Sequence, residues 1–519
     1  MSRSPLFATI HRALAIARVC EARGLSTEDG IALASAARRS RREWLEIVGR
    51  AGAAAAVTSI ATPIERLRAS TPPRTAPSVG IVASVYEASL RTGGRCWSLR
   101  GFFPQQVGER GGEFIDTTHT TMLGYAKRFD LALEDVTKKA GDTTYFFDGQ
   151  LVPEEVVIDE FREFVAVMRA DLRRLSSEVT ASSPTADDVI LDNTSLADYL
   201  DGHNAAGVSA APVARAAITS AYLGEYGLET GEQSCLNFLL FIHADRRSKF
   251  TPFGVFSDER YHVVDGNDRI AERLTQSLPR PVDLGRTLVA ARRTSSGAIE
   301  LSFETGAPVT HDIVVLAMPF SVLRHVALNS NLGIPIALRT AIDTLGYGAN
   351  AKLLVGFDGR PWIAQNSSGT AYSDLDQHQL TWETNRVRAS AARSVLTDYA
   401  SGDRGLAMNP AAVQAEAEAF LSALDLVFPG SAAVASRRPD HSLVAHLEHW
   451  PSNPLTLGSY TCYRPGQFTT MAGLEGVPVE NLYFAGEHAN SFYESQGFME
   501  GAALSGLDVA AAIFRAVRK

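Results

Sequence analysis

Leu482-Tyr-Phe-Ala-Gly-Glu-His488, followed by Gln496-Gly-Phe-Met-Glu-Gly501, reads as a buried strand joined to a helix through an exposed acidic turn. Leu482 to Ala485 is a short apolar run of the kind a buried parallel strand shows. Gly486 lets the backbone pass close to a ligand, and Glu487 supplies an acceptor. From Gly497 onward the small residues Gly501, Ala502, Ala503, Gly506, Ala510 and Ala511 allow a helix to lie tight against a sheet. The start of that helix offers free backbone N–H groups and partial positive charge, suited to an electron-rich ring carbonyl of a ligand. The plain alternative is the ordinary last strand and helix of an α/β domain.

Working outward, Ile81-Val-Ala-Ser-Val-Tyr86 alternates like a strand and ends at Glu87, before the glycine-rich turn Arg91-Thr-Gly-Gly-Arg95. An acid closing the second strand of a dinucleotide fold takes both ribose hydroxyls, and Gly93-Gly94-Arg95 suits a close approach to pyrophosphate. Gly108-Glu-Arg-Gly-Gly-Glu-Phe-Ile-Asp116 repeats the glycine pair, at Gly111 and Gly112, before another strand candidate.

Taken in this order, from about Val79 to the C-terminus, these segments resemble the flavin-containing amine oxidase family, which includes monoamine, polyamine and L-amino acid oxidases. The resemblance implies an α/β chain: an FAD-binding Rossmann-like domain interleaved with an α+β substrate domain, monoamine oxidase-like. It implies FAD held by Glu87, Gly93, Gly94 and Arg95, then by Gly111, Gly112, Glu113 and Phe114. It adds Leu288 on the adenine side, and Gly486, Glu487, Gly497, Phe498 and Met499 near the ring. Lys352, after Gly346-Tyr-Gly-Ala-Asn350, matches the lysine that holds a water beside flavin N5 in the family. Gly458-Ser-Tyr-Thr-Cys-Tyr463 resembles the segment supplying one wall of an aromatic cage, so Tyr460 is expected to face Phe498 across a slot. Ser459 stands where some relatives carry a flavin-linking cysteine, which implies noncovalent FAD.

One departure matters. The family opens with a strand, a G-x-G-x-x-G turn and a helix, yet no G-x-G-x-x-G occurs in this chain. Ile81 follows almost directly on Thr71-Pro-Pro-Arg-Thr-Ala-Pro77, as though the first strand and its phosphate-cradling helix were missing. Gly49-Arg-Ala-Gly52 lacks one glycine and lies farther before Glu87 than the roughly 20 residues usual.

At 519 residues and 45% hydrophobic content, length suggests two or three domains. A net charge of −9 speaks against nucleic-acid binding, and four scattered cysteines speak against a metal site or disulfide framework. Residues 1–70 read as a leader: Ser40-Arg-Arg-Glu-Trp-Leu45, the stretch Ile47–Ala61 and Ser59-Ile-Ala61 look like a twin-arginine export signal and cleavage site. Export would place the protein in the periplasm or outside the cell; the alternative is a basic amphipathic helix on a cytoplasmic protein. The remaining segments read as FAD-binding (71–140, 266–326, 455–519) and substrate-binding (141–265, 327–454). Val156–Leu175 and Leu196–Tyr226 show helical spacing, whereas Ile299–Phe303, Ile313–Ala317 and Lys352–Phe357 read as strands, Met318-Pro319 ending the second.

The chemistry implied is oxidation of an amine to an imine, hydrolysed to an aldehyde or keto acid plus ammonia, with O2 reduced to hydrogen peroxide. A primary amine or polyamine is preferred, because the position that holds a carboxylate-clamping arginine in venom L-amino acid oxidases reads Gly111-Gly-Glu-Phe114. L-amino acid oxidation stays open through Arg246 or Arg464, and Glu113 and Asp116 either attract a cationic substrate or partner Arg110. Rival readings are a flavin desaturase or porphyrinogen-type oxidase, and a relic without flavin. The expected partners are a small-molecule amine and O2, with no nucleic acid and no membrane span; a homodimer is compatible with the sequence.

Overall fold

Residues 13, 16, 17, 20, 24–29, 31, 81–138, 141–242, 258–384, 393–490 and 495–518 are described by a computed structural model. Hydrophobic alternation builds its largest sheet. In the strand Ala351–Phe357 the residues Leu353, Val355 and Phe357 pack with Phe420, Leu421 and Leu424 of the helix Val413–Val427. The period of two then turns Lys352 to the opposite face. That strand is second in a seven-stranded sheet ordered Ala445–His449, Ala351–Phe357, Ser394–Ala400, His378–Glu383, Ser367–Leu375, Asp142–Phe147 and Gln150–Val152. Its pairings are antiparallel except between Ser367–Leu375 and Asp142–Phe147. The Lys352 face is covered by helices: Phe161 of Glu154–Arg174 and Ile218 and Tyr222 of Pro212–Tyr226 share a core with Tyr372, Trp382 and Tyr399.

The opening motif forms the buried strand Leu482–Phe484, parallel to Val314–Leu316, as its apolar run requires. Two expectations need correction. Only Tyr86–Glu87 of Ile81–Glu87 is strand, because a strand needs a ladder and the partner found is the two-residue Asp283–Leu284, leaving Val82 65% exposed. Leu196–Tyr226 is two helices, Leu196–Leu200 and Pro212–Tyr226, separated by a turn in which Gly202 and Gly207 take positive φ. The second restarts with proline in its first turn.

Residues Ala13, Ile16, Ala17 and Cys20, spaced as one helical face, lie in the same core as Phe161, and Arg162 donates to Thr27 at 2.9 Å. Part of the stretch read as a leader thus packs on the helical layer. The arginine pair, the cleavage motif, Gly49–Gly52 and everything else before Ile81 lie outside the described residues.

Candidate active site

Strand Leu482–Phe484 delivers Glu487 into the interior. The turn read as exposed is buried: Glu487 is 2% exposed because each of its oxygens has a partner from a different part of the chain. Oε1 accepts from Arg95 Nη1 at 3.0 Å and Oε2 from the Gly497 N–H at 3.0 Å. Arg95 also donates to the Ser459 carbonyl at 2.5 Å. Burial alone would raise the Glu487 carboxyl, but Arg95 and His488 outweigh it and hold it below the ordinary range. Gly486, at φ 131, leaves no room for a side chain: a Cβ would stand 2.5 Å from His488 Cε1. Gly497, at φ 81, turns the chain into the helix Met499–Val517, which starts at Phe498 with no side-chain cap.

The glycine turns interlock. Gly93 and Gly94 take φ of 105 and 54, and the Arg91 guanidinium closes the turn on the carbonyls of Thr92, Gly94 and Cys96. Arg91 and Arg110 lie over the Trp97 ring at 4.0 and 3.8 Å. Gly112 donates to the Arg95 carbonyl at 3.1 Å, and a Cβ on Gly111 would stand 1.7 Å from that oxygen. Glu87 accepts from the Ser89 N–H at 2.7 Å, its carboxyl raised by burial. Leu288 is buried in Leu288–Arg293, within a four-stranded sheet. Phe114 lies 6.0 Å from Trp382, and Met499 packs with Ile115, Met122, Val263 and Ile270.

Lys352 donates to Glu113 Oε2 at 2.7 Å, to the Gly111 carbonyl at 2.8 Å and to the Glu109 carbonyl at 3.3 Å. Its ammonium faces the rings of Trp382 and Tyr399 at 5.3 and 5.8 Å, and Trp382 Nε1 donates to Glu113 Oε1 at 2.9 Å. All three ammonium protons meet acceptors of the chain, so a water at Lys352 would replace one of them, the Glu109 carbonyl being the most distant. Tyr460 meets Tyr399 hydroxyl to hydroxyl at 3.0 Å and donates to the Gly224 carbonyl.

Lys352, Glu113, Gly111 and Tyr460 are therefore brought together through Trp382 and Tyr399, while Arg95, Glu487, Gly497 and Phe498 form the neighbouring joint. Phe498 packs against the rings of His119 at 5.0 Å and Phe241 at 6.2 Å, and Tyr399 stands beside Tyr460. Glu113 partners Lys352, and Arg110 partners Glu448 at 3.5 Å. Arg464 meets Glu232 at the surface, and Arg246 lies outside the described residues.

Sequence reasoning missed Trp382 and Tyr399, whose strands carry no motif, and the role of Glu500. Its oxygens accept the N–H groups of Thr121 and Met122 at 2.9 and 2.8 Å, capping the helix Thr120–Arg128 from another part of the chain. The acid itself stands in the Gly-Phe-Met-Glu-Gly motif; nothing local points to its target.

These residues fit the ring end of a flavin. His488 is 1% exposed and, among the described residues, neither ring nitrogen has a hydrogen-bond partner, beside the Gly486 turn. Burial pushes its pKa down to about 4, so the neutral ring offers one donor and one acceptor. The uncapped helix start adds free N–H donors.

Comparison with known proteins gives the family and the fold. The family described as flavin containing amine oxidoreductase matches residues 79–514. Probable polyamine oxidase 4 of Arabidopsis thaliana is 25% identical over 253 residues, 47% of this chain and 46% of that protein. The L-amino-acid oxidase of Bungarus fasciatus is 21% identical over 54% of this chain and 53% of that protein. The chain spans about half the length of the curated relatives it matches. Cyclohexylamine oxidase from Brevibacterium oxydans IH-35A superposes with a TM-score of 0.71 at 21% identity, covering 85% of this chain and 95% of that one. Putrescine oxidase bound to putrescine gives 0.70 at 18% identity, covering 85% and 96%. The chain belongs to the flavin-containing amine oxidoreductase family, whose cofactor is a flavin, and has the mixed α/β fold of these amine oxidases. Among the described residues no helix is long and apolar enough to cross a membrane.

Gly111→Ala should lower stability by roughly 1–3 kcal/mol, read in urea unfolding, because the methyl forces the Arg95 loop away. Unchanged stability would show that the loop yields freely. Glu109 gives a pH test. Burial, with Glu113 and Asp268, outweighs its bonds to Asn267 and Ser98 and pushes its carboxyl to about 8. A group raised on folding stabilises fully below its unfolded value, and that contribution fades as pH climbs to about 8. Glu109→Gln should therefore gain roughly 2–4 kcal/mol over wild type near pH 9 and nothing near pH 4. A gain that is equal at both pH values would contradict the assignment.

Proposed function

We propose that the protein oxidises a primary amine or polyamine with noncovalently bound FAD, reducing O2 to hydrogen peroxide. The observation that carries this reading is the buried cluster of Lys352, Trp382, Tyr399 and Tyr460, with Glu113 bonded to both Lys352 and Trp382. When bound, the flavin supplies a two-electron acceptor for the C–H bond beside the amine.

The chain supplies the rest. Tyr460 and Tyr399, locked by their shared hydrogen bond, form a rigid aromatic wall that orients an apolar carbon chain. Burial pushes the Tyr399 phenol upward, and the two buried rings hold geometry and exclude water. Lys352 is a fixed positive charge beside Glu113. The imine leaves for hydrolysis in water. Glu87, Arg95, Gly93 and Gly94 would hold the ribose and phosphate side, and Glu487, Gly497 and the start of the Met499–Val517 helix the ring side. Ser459 supports noncovalent binding, since a hydroxyl there bonds Asn350 Oδ1.

Glu113 and Glu225, both buried and within electrostatic reach of Tyr399, disfavour a substrate carboxylate and so disfavour L-amino acids. The lack of G-x-G-x-x-G favours one other reading, a family member that keeps the fold without the cofactor. Peroxide release separates them. Primary amines and diamines should be turned over at least about tenfold more efficiently than L-amino acids, about 1.4 kcal/mol of discrimination. An L-amino acid that equals them would reverse the preference, and a flavin-free protein would favour the relic.

A further inference from the structure

Asn350 is wholly buried, two residues before Lys352, and its amide is used at both ends. Nδ2 donates to the Gly224 carbonyl at 3.0 Å and to Ser401 Oγ at 2.8 Å, and Oδ1 accepts from the Ser459 hydroxyl. Those contacts reach three separate parts of the chain. Gly224 lies in the last turn of the helix Pro212–Tyr226, Ser401 follows the strand Ser394–Ala400 that carries Tyr399, and Ser459 directly precedes Tyr460. Room for the amide is kept by glycine: a Cβ on Gly227 would stand 2.1 Å from Asn350 Oδ1, and one on Gly348 would stand 2.6 Å from Ser459 Oγ.

The Gly224 carbonyl joins this amide to the aromatic cluster. Carbonyls in the last turn of a helix have no partner within it and must find one elsewhere. That of Gly224 finds two, since Tyr460 donates to it as well, also at 3.0 Å. A phenol has one proton, so with that of Tyr460 on Gly224 the 3.0 Å contact between the two hydroxyls uses the proton of Tyr399. The Tyr399 and Tyr460 rings are thus placed by a chain that ends on the carbonyl Asn350 holds. On its other side, the Ser459 carbonyl receives Arg95, the partner of Glu487.

We propose that Asn350 is a positioning residue for amine oxidation: its amide fixes the Gly224 carbonyl, and through it the Tyr399 and Tyr460 rings, in register with the Arg95–Glu487 joint. This rests on the amine oxidase reading and deepens it, naming a residue that acts on the substrate only through others. Asn350→Leu keeps the volume of the side chain and removes all three of its bonds. The hydroxyl chain then loses its anchor, while Lys352 keeps Glu113 and the Gly111 carbonyl.

A double-mutant cycle of Asn350→Leu and Tyr460→Phe on the flavin-loaded enzyme tests this, read as the limiting rate of anaerobic flavin reduction by n-butylamine per bound flavin. Asn350→Leu should lower that rate about 10- to 100-fold, the effect of a misplaced wall, and move the amine dissociation constant less than about threefold. The double variant should fall within about twofold of Asn350→Leu, because both changes act through one carbonyl. Effects that multiply, or an Asn350→Leu enzyme reduced as fast as wild type, overturn the role. Asn350→Asp, which keeps the shape and loses only the donors, takes its place in the cycle should Asn350→Leu not fold. Near-ultraviolet circular dichroism of the flavin-free proteins reads the aromatic cluster without turnover. The change caused by Asn350→Leu should be largely absent in the Tyr460→Phe background, and an equal change in both backgrounds overturns the role. If n-butylamine does not reduce the wild-type flavin, the oxidase reading fails, and the dichroism cycle still decides whether Asn350 sets the rings.

Discussion

The carboxylate of Glu487 is the point on which the rest of the molecule depends. It receives Arg95 from the first glycine turn and the Gly497 N–H from the turn before the last helix, while Arg95 also reaches the Ser459 carbonyl. Three segments far apart in sequence converge on one buried ion pair. Removing one partner of such a pair strands the other charge in the interior, which costs far more than a surface bridge. The glycines follow from the same constraint: Gly111 lies against the Arg95 carbonyl and Gly486 against the His488 ring, where a Cβ would collide.

Beyond this joint the interior balances its charges in pairs and leaves a remainder. Lys352 is held by Glu113 and two backbone carbonyls, Asp116 by His119 and the Glu259 N–H, and the Thr120–Arg128 helix by Glu500. Among the described residues, the ring nitrogens of His488 at the joint are among the buried polar atoms left without a hydrogen bond. At the joint, the His488 ring suits a flavin oxygen or nitrogen.

Much of this was legible in the sequence because the deciding motifs are local. Leu482–Phe484 is a strand whose apolar run and following glycine are contiguous, and Gly93-Gly94-Arg95 and Gly111-Gly112 are close-approach turns wherever they occur. Contacts that join distant segments were not legible. Tyr399 and Trp382 reach Lys352 only through strand register, and Glu500 caps a helix starting at Thr120. The Ile81–Tyr86 alternation overstated the strand because periodicity reports a willingness to pair, whereas the ladder depends on what lies alongside, here two residues. The hydrogen bond of Tyr460 to Tyr399 was not legible either, since spacing along the chain says nothing of which ring a hydroxyl turns toward.

Flavin content measured on purified wild-type protein and on Glu487→Gln, with the cofactor released by acid, bears most directly on this account. A stoichiometric, freely released flavin in wild type that is largely lost from the variant is the expected result. Wild-type protein that stays colourless after incubation with FAD, or a variant that retains flavin as fully as wild type, would contradict the claim that the joint of Arg95, Glu487 and Gly497 holds the ring.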